Sequence, residues 1–138
     1  MTIVSAEHII LELMPPSEFD LSEPTLEAED ILVVDDPHFG PDSVAVVTGA
    51  ASGIGQATAV ALATNGLSVV GADIDEAGLE ETVDLAADLD APGEVHPVPT
   101  DLTDDADVES TIDAAADQGD LRYVANIAGM QHIASIPA

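Results

Sequence analysis

The chain has 138 residues, of which 28 are Asp or Glu and only one, Arg122, is basic, giving a formal net charge of −27. That length fits one domain or half of a larger one, and the charge leaves nothing from which to build a cationic patch, so nucleic acid and anionic membrane surfaces are excluded as electrostatic partners. Hydrophobic residues still make up 46% and aromatic ones only 2%, enough apolar surface for a core built of Ala, Val, Ile and Leu.

Residues 1–43 differ from the rest. Pro15-Pro16, Pro24, Pro37 and Pro41 break every candidate element, and the two apolar islands are Ile9-Ile10-Leu11 and Ile31-Leu32-Val33-Val34. The segment reads as an irregular acidic arm laying one short helix or strand on the domain, with a disordered leader as the alternative. From residue 44 onward the pattern is regular. Val44-Ala45-Val46-Val47 is a short apolar run of the kind buried on both faces of a sheet. Ile54 to Thr64 is expected to be helical with Ala57, Val60, Ala61 and Ala63 on its packing side, closed by Asn65-Gly66. Leu67–Ala72 is the next strand, and Glu76–Leu89 the next helix, with Leu79, Val83, Leu85 and Ala86 inward and Pro92-Gly93 ending it. Val95-His96-Pro97-Val98 reads as a third strand whose prolines suit a sheet edge. Asp104 or Asp105 caps a helix running to about Gln118, and Leu121–Ala125 is the fourth strand. The rhythm is that of βαβ units. It predicts an α/β fold, a Rossmann-type doubly wound parallel sheet of about four strands and three helices, with the pattern stopping before another element forms.

The strongest chemical signal is Thr48-Gly49-Ala50-Ala51-Ser52-Gly53-Ile54-Gly55, between the first strand and the first helix. A phosphate cradle needs glycine where the backbone turns tightly and where it must approach a pyrophosphate, and it needs a helix N-terminus whose free N–H groups face the anion. Gly49, Gly53 and Gly55 supply these; a lysine-dependent P-loop is excluded because the chain has no lysine. A bare glycine-rich turn is the plain alternative. Asp73 ends the second strand, about 20 residues past the motif, where a carboxylate accepts adenosine ribose hydroxyls and repels a 2′-phosphate. That favours NAD over NADP. Asp75 is the rival, less favoured because Asp73 is first after the strand.

The Thr48–Gly55 stretch resembles the TGxxxGxG signature of the short-chain dehydrogenases/reductases. Asp101-Leu102, after the third strand, resembles the family's acidic–hydrophobic pair that holds the adenine ring. Asn126-Ile127-Ala128-Gly129 resembles its NNAG motif, with Ile in place of the second Asn. The resemblance spans residues 44–138 and implies an NAD-binding half. Gly49, Ser52, Gly53, Ile54, Gly55, Asp73, Asp101, Leu102, Asn126, Ala128 and Gly129 are then its cofactor-binding residues. The family interconverts alcohols and carbonyls with a Ser and a Tyr-x-x-x-Lys pair, the Tyr as general acid/base. Here the only tyrosine, Tyr123, lies in the fourth strand and lysine is absent, so no catalytic residue is assigned and residues 1–138 alone are expected to be inactive. Met130-Gln131-His132-Ile133-Ala134 resembles the same place in 3-hydroxybutyrate dehydrogenases. By that resemblance Gln131 would bind a substrate carboxylate; a polar loop is the alternative.

Other features bound the reading. With no cysteine there is no disulfide framework, thiol nucleophile or Cys-based zinc site. No apolar run reaches the roughly 18 residues of a membrane span, and the first residues lack the positive region of a signal peptide, so a cytoplasmic protein is expected. His8, His38, His96 and His132 share no metal-ligand spacing, and no calcium loop is present. The absent lysine, small core residues and acids spread along the chain resemble proteins of halophiles, since at molar salt the Debye length falls to about 3 Å and screens such charges. A mesophilic acidic binding module is the competing reading. For function, the leading expectation is the cofactor-binding part of an NAD-dependent dehydrogenase acting on a secondary alcohol or small hydroxy acid, either truncated or a fragment. The alternatives are a non-catalytic nucleotide-binding module and a structural subunit that completes its sheet on a partner. A fragment with an open sheet edge is expected to pair with a second copy or aggregate.

Overall fold

The computed structural model describes residues 25–131; Ile9-Ile10-Leu11, His8 and His132 therefore lie outside the described part. Strands β1 (Ser43–Thr48), β2 (Ser68–Asp73), β3 (Glu94–Pro99) and β4 (Asp120–Asn126) alternate with helices α1 (Gly53–Thr64), α2 (Glu76–Asp88) and α3 (Asp105–Gln118). All neighbouring strands pair in parallel, in the order β3-β2-β1-β4. This is the Rossmann-type sheet that the sequence predicts. Strands β1, β3 and β4 extend slightly beyond their expected ends, and β2 starts and stops one residue later.

Strand order decides burial. Every residue of β1 is buried and nearly every one of β2, because each has a strand on both sides and helices on both faces. Strands β3 and β4 flank them and alternate between exposed and covered positions. Pro97 and Pro99 fall on β3, where a missing N–H breaks no ladder bond to an outer neighbour. On one face Ala45, Val47 and Val69 pack with Ala59, Val60 and Ala63 of α1 and with Leu79 and Ala86 of α2. On the other face Val44, Val46 and Val70 pack with Ala115 of α3.

Two local expectations need correction. The buried side of α1 is Gly55, Ala59, Val60 and Ala63, whereas Ala57 is exposed and Ala61 only half-buried. At about 100° per residue Ala57 points away from the stripe that Gly55 and Ala59 share, and the close approach of Gly55 to the Gly49–Ala50 backbone after β1 fixes that rotation. Helix α2 ends at Asp88, not Leu89, with Leu89 as its C-cap and Asp90 in the left-handed region at φ 53°. Asp tolerates that conformation, so the chain has already turned before Pro92-Gly93. The island Ile31–Val34 forms no strand. It follows a short 3₁₀ turn, Ala28–Asp30, and only Ile31 packs on the core, while Leu32 is 80% exposed. Asn65 at the end of α1 holds this stretch against the domain. Its Oδ1 accepts from the Val34 amide at 2.7 Å, and its Nδ2 donates to the Leu32 carbonyl at 3.0 Å.

Among the described residues Arg122 reaches one carboxylate, Asp120, at 3.3 Å, and both partners are substantially exposed. The other acids have no cation of the chain's own beyond histidine, so their mutual repulsion opposes compaction. Screening acts most on exposed like charges. The chain is therefore expected to be expanded in dilute buffer and compact in molar KCl, read by far-UV circular dichroism and small-angle scattering across a salt titration. A fold indifferent to salt would overturn the halophile-like reading of the composition.

Candidate functional site

Strand β1 sits at the point where connections leave the sheet in opposite directions, toward β2 on one side and β4 on the other. The crevice at the carboxyl ends of such strands is where open α/β sheets bind ligands. Here it holds a cleft of about 630 Å³, within the size range of small-molecule sites.

The loop from β1 to α1 forms one wall. Gly49 has φ +73° and Gly53 φ +54°, a region that favours glycine. A β-carbon on Gly49 would come within 3.0 Å of the Ala128 backbone, and one on Gly55 would overlap the Gly49 carbonyl. Nothing lies within 4 Å of the β-carbon position at Gly53, which opens toward the cleft. Behind the loop, the amides of Gly49 and Ala50 both donate to the Ala72 carbonyl, at 2.9 and 3.3 Å.

The N-terminus of α1 differs from those of the other two helices. Asp75 caps α2 by accepting from the Gly78 amide, and Asp104 caps α3 by accepting from Ala106. Both helices also carry acids in their first turn, Glu76 in α2 and Asp105 and Asp107 in α3, which suit the positive end of the helix dipole. Helix α1 has neither. Its N-cap Ser52 makes no side-chain cap bond, its first turn has no acid, and Gln56 is the first residue of the turn whose amide meets a backbone acceptor, Ser52. In a chain so rich in carboxylates, this positive end remains open to an anion from outside.

The far wall comes from β2, β3 and the loop after β4. Asp73 closes β2 and lines the cleft. Its Oδ2 accepts from the Ala51 amide at 3.1 Å and its Oδ1 from the Asp75 amide at 3.0 Å, so the carboxylate is oriented by backbone on both sides. Asp75, the rival, lies next to the cleft in a shallower acidic hollow and spends its carboxylate on the α2 cap. Asp101 and Leu102 follow β3 into the cleft. Thr103 donates to Asp101 Oδ1 from its hydroxyl at 2.6 Å and its amide at 2.9 Å, which holds the Asp101 carboxyl below its ordinary value, the hydroxyl bond being the larger cause.

Ten of the eleven sequence-predicted cofactor residues thus meet in one cleft: Gly49, Ser52, Gly53, Ile54, Gly55, Asp73, Asp101, Leu102, Ala128 and Gly129. Asn126 does not line it. It is the last residue of β4, paired with Thr48 in the ladder. Gln131 is exposed and outside the lining. Residues to which the sequence reading gave no role include Ile74, Thr100, Thr103 and Met130, which also line the cleft, and Thr48, which does not line it but holds it together. Thr48 Oγ1 accepts from the amides of Ile127 and Ala128 at 3.0 and 3.1 Å, pinning the loop after β4 to the end of β1. A signal existed for Thr103, since an Asp two residues before a Thr is a common Asx-turn pattern; for Thr48 the partners are too distant in sequence. No group of three or more metal-ligating side chains occurs among the described residues, where His38 bonds Asp36 and His96 bonds Ser68.

A family model described as short chain dehydrogenase matches residues 43–137. A 1-deoxy-11-beta-hydroxypentalenate dehydrogenase of Streptomyces exfoliatus is 49% identical over 88 residues, 62% of this chain and 31% of the relative. The chain spans about a third of the length of such curated relatives. Among solved structures, the apo glucose dehydrogenase of Caenorhabditis elegans aligns with TM-score 0.62 and 32% identity over 67% of this chain and 40% of that one. A short-chain dehydrogenase/reductase of Burkholderia phymatum in complex with NAD aligns with TM-score 0.50 and 38% identity, over 59% and 28%. An actinorhodin polyketide ketoreductase with NADPH aligns with TM-score 0.58 and 29% identity, over 64% and 34%.

The lowered pKa of Asp101 yields a direct check. Because its folded value is depressed, the stability it contributes is present above the unfolded value and is lost as pH falls through the lower folded one. Thr103→Val removes the hydroxyl donor and should move the Asp101 midpoint up toward that of an unstructured Asp, as read by carboxyl-carbon NMR. An unchanged midpoint would show that the Thr103 hydroxyl is not what holds the charge.

Proposed function

Because the chain belongs to the short-chain dehydrogenase family, we propose that it holds a nicotinamide dinucleotide, NAD in preference to NADP, across the carboxyl ends of β1, β2 and β4. The observation that carries this reading is the uncapped N-terminus of α1 beside a glycine cradle with no room for β-carbons at Gly49 and Gly55. The amides of Gly53, Ile54 and Gly55 and the free hydroxyl of Ser52 would receive the pyrophosphate. Asp73 would accept from the adenosine ribose, and Asp101 with Leu102 would border the adenine. Ala128 and Gly129 would line the path toward the reactive end. Asp73 would repel a 2′-phosphate there, with Asp75 and Glu76 in the acidic hollow next to it, and the chain has no lysine to attract one.

When bound, the nicotinamide supplies hydride transfer to or from a substrate carbon. The proton that accompanies that hydride needs an acid or base, and the described cleft offers none of suitable kind. Its carboxylates, Asp73 and Asp101, are tied to backbone amides, and the only tyrosine, Tyr123, packs edge-on against Phe39 at 5.7 Å between ring centroids. This chain's share of a dehydrogenase reaction is therefore binding and orientation. The substrate proposed for the complete reaction is a secondary alcohol or small hydroxy acid of the 3-hydroxybutyrate kind, with Gln131 on its carboxylate, in a salt-rich cytoplasm.

Calorimetry in molar KCl tests the cofactor. NAD is expected to bind at least about tenfold more tightly than NADP, the effect of roughly 1.4 kcal/mol of repulsion. Asp73→Ala should narrow the gap but also weaken NAD, because it releases the Ala51 amide; Asp73→Asn keeps an acceptor there and isolates the charge. Equal affinities in the unaltered chain would sink the NAD preference. In the same buffer, the 138-residue chain with NAD and a panel of hydroxy acids is expected to give no turnover. Activity clearly above background, from material free of contaminating dehydrogenase, would refute the account of the missing acid/base.

A further inference from the structure

The glycine loop is gripped from behind by a pair of side chains that the cofactor reading does not use. Thr82, on α2, is fully buried, and its hydroxyl lies 2.7 Å from the Ala50 carbonyl. A buried hydroxyl in a helix has an easier partner in the carbonyl one turn back, here Gly78 at 3.0 Å. The bond to Ala50 is the shorter one. Gln56, on α1, donates its Nε2 to Thr82 Oγ1 at 3.1 Å. A lone pair of the hydroxyl is thereby occupied, and its single proton is left for a carbonyl. The reach from α2 to the loop depends on Gly78, where a β-carbon would come within 2.8 Å of the Ala51 side chain and 2.7 Å of its carbonyl.

The peptide between Ala50 and Ala51 is planar and trans, so its C=O and N–H point in opposite directions. Thr82 holds the C=O, and Asp73 Oδ2 holds the N–H at 3.1 Å. One peptide plane is thus clamped from both sides, immediately before the free amides that begin at Gly53. We propose that Thr82, oriented by Gln56, is a positioning residue for the anion cradle: by fixing this plane it sets the direction of the α1 N-terminal amides. The proposal rests on the reading of the cleft as a dinucleotide site.

The test uses the full chain in molar KCl with two probes, ADP, which carries a pyrophosphate, and adenosine, which does not. Thr82→Val removes the hydroxyl at nearly constant volume, and Thr82→Ser restores it. Gln56→Met, at a half-buried position, supplies a milder variant if Thr82→Val folds poorly by circular dichroism. Thr82→Val is expected to bind ADP on the order of tenfold more weakly with adenosine affinity unchanged, Thr82→Ser to recover most of the loss, and Gln56→Met to fall between. An equal loss for both probes would mark Thr82 as a support of the fold only and overturn the proposal. So would unchanged ADP binding in folded Thr82→Val or, should that variant not fold, in Gln56→Met. If the unaltered chain binds neither ADP nor NAD, the cofactor reading itself falls and this proposal with it.

Discussion

Between the end of β1, the start of α1 and the loop after β4 there is no room for a β-carbon, and the rest of the site depends on that exclusion. Gly55 lets the first turn of α1 sit against the Gly49 carbonyl, and Gly49 in turn lets the Ala128 backbone approach. Three chain segments therefore meet backbone to backbone. The Thr48 hydroxyl turns this contact into a bonded one by accepting two amides from the loop after β4. Because α1 is drawn in so closely, its buried stripe is rotated to Gly55, Ala59 and Ala63, and its open N-terminus faces the crevice. The packing of α1 and the shape of the cleft here follow from one steric condition.

The same region shows how a chain with almost no cations uses its acids. Carboxylates of Asp30, Asp36, Asp73, Asp75, Asp101, Asp104 and Asp107 accept backbone amides, most within a few residues of themselves. Asp is short enough to reach its own backbone and form such turns and caps. Each bond stabilises a negative charge without a counter-ion from the chain. The consequence is selective: the N-termini of α2 and α3 already hold a carboxylate of the chain's own, and the one that carries Ser52 without a cap bond is the one beside the glycine cradle.

What was legible in the sequence was what is encoded locally. The strand–helix rhythm, the glycine motif and the carboxylates after β2 and β3 each announce themselves within a few residues, and they carried both the fold and most of the cleft. What depends on the third dimension was not legible. Ala57 and Ala59 look alike to a periodicity argument, and only the contact of Gly55 with the backbone of Gly49 and Ala50 chooses between them. The apolar run Ile31–Val34 left helix and strand both open, and its backbone is held by the Asn65 side chain, a partner about thirty residues on that no local pattern announces. Asn126 belongs to the motif that borders the cleft, yet one more ladder pair with Thr48 draws it into the sheet. Thr82 gave no signal at all, since nothing in a helical Thr predicts a partner in a loop far back in the chain.

Asp73 joins these levels. Its carboxylate lies at the end of β2, where an adenosine ribose is expected, yet both of its oxygens are engaged before any ligand arrives, one with the glycine loop and one with the approach to α2. A side chain held in this way loses little rotamer freedom on binding, so more of the interaction appears as affinity. It also means that the two ends of a dinucleotide site are not independent in this fold. In the proposed dinucleotide reading, the loop that would face the phosphates is oriented through the Ala50–Ala51 peptide, whose N–H is held by the carboxylate that would face the ribose. On that reading a change at Asp73 would be felt at the anion cradle as well as at the ribose, and a loss of cofactor affinity there would report on loop order and on charge together. Separating the two requires a substitution that keeps an acceptor for the Ala51 amide while removing the negative charge.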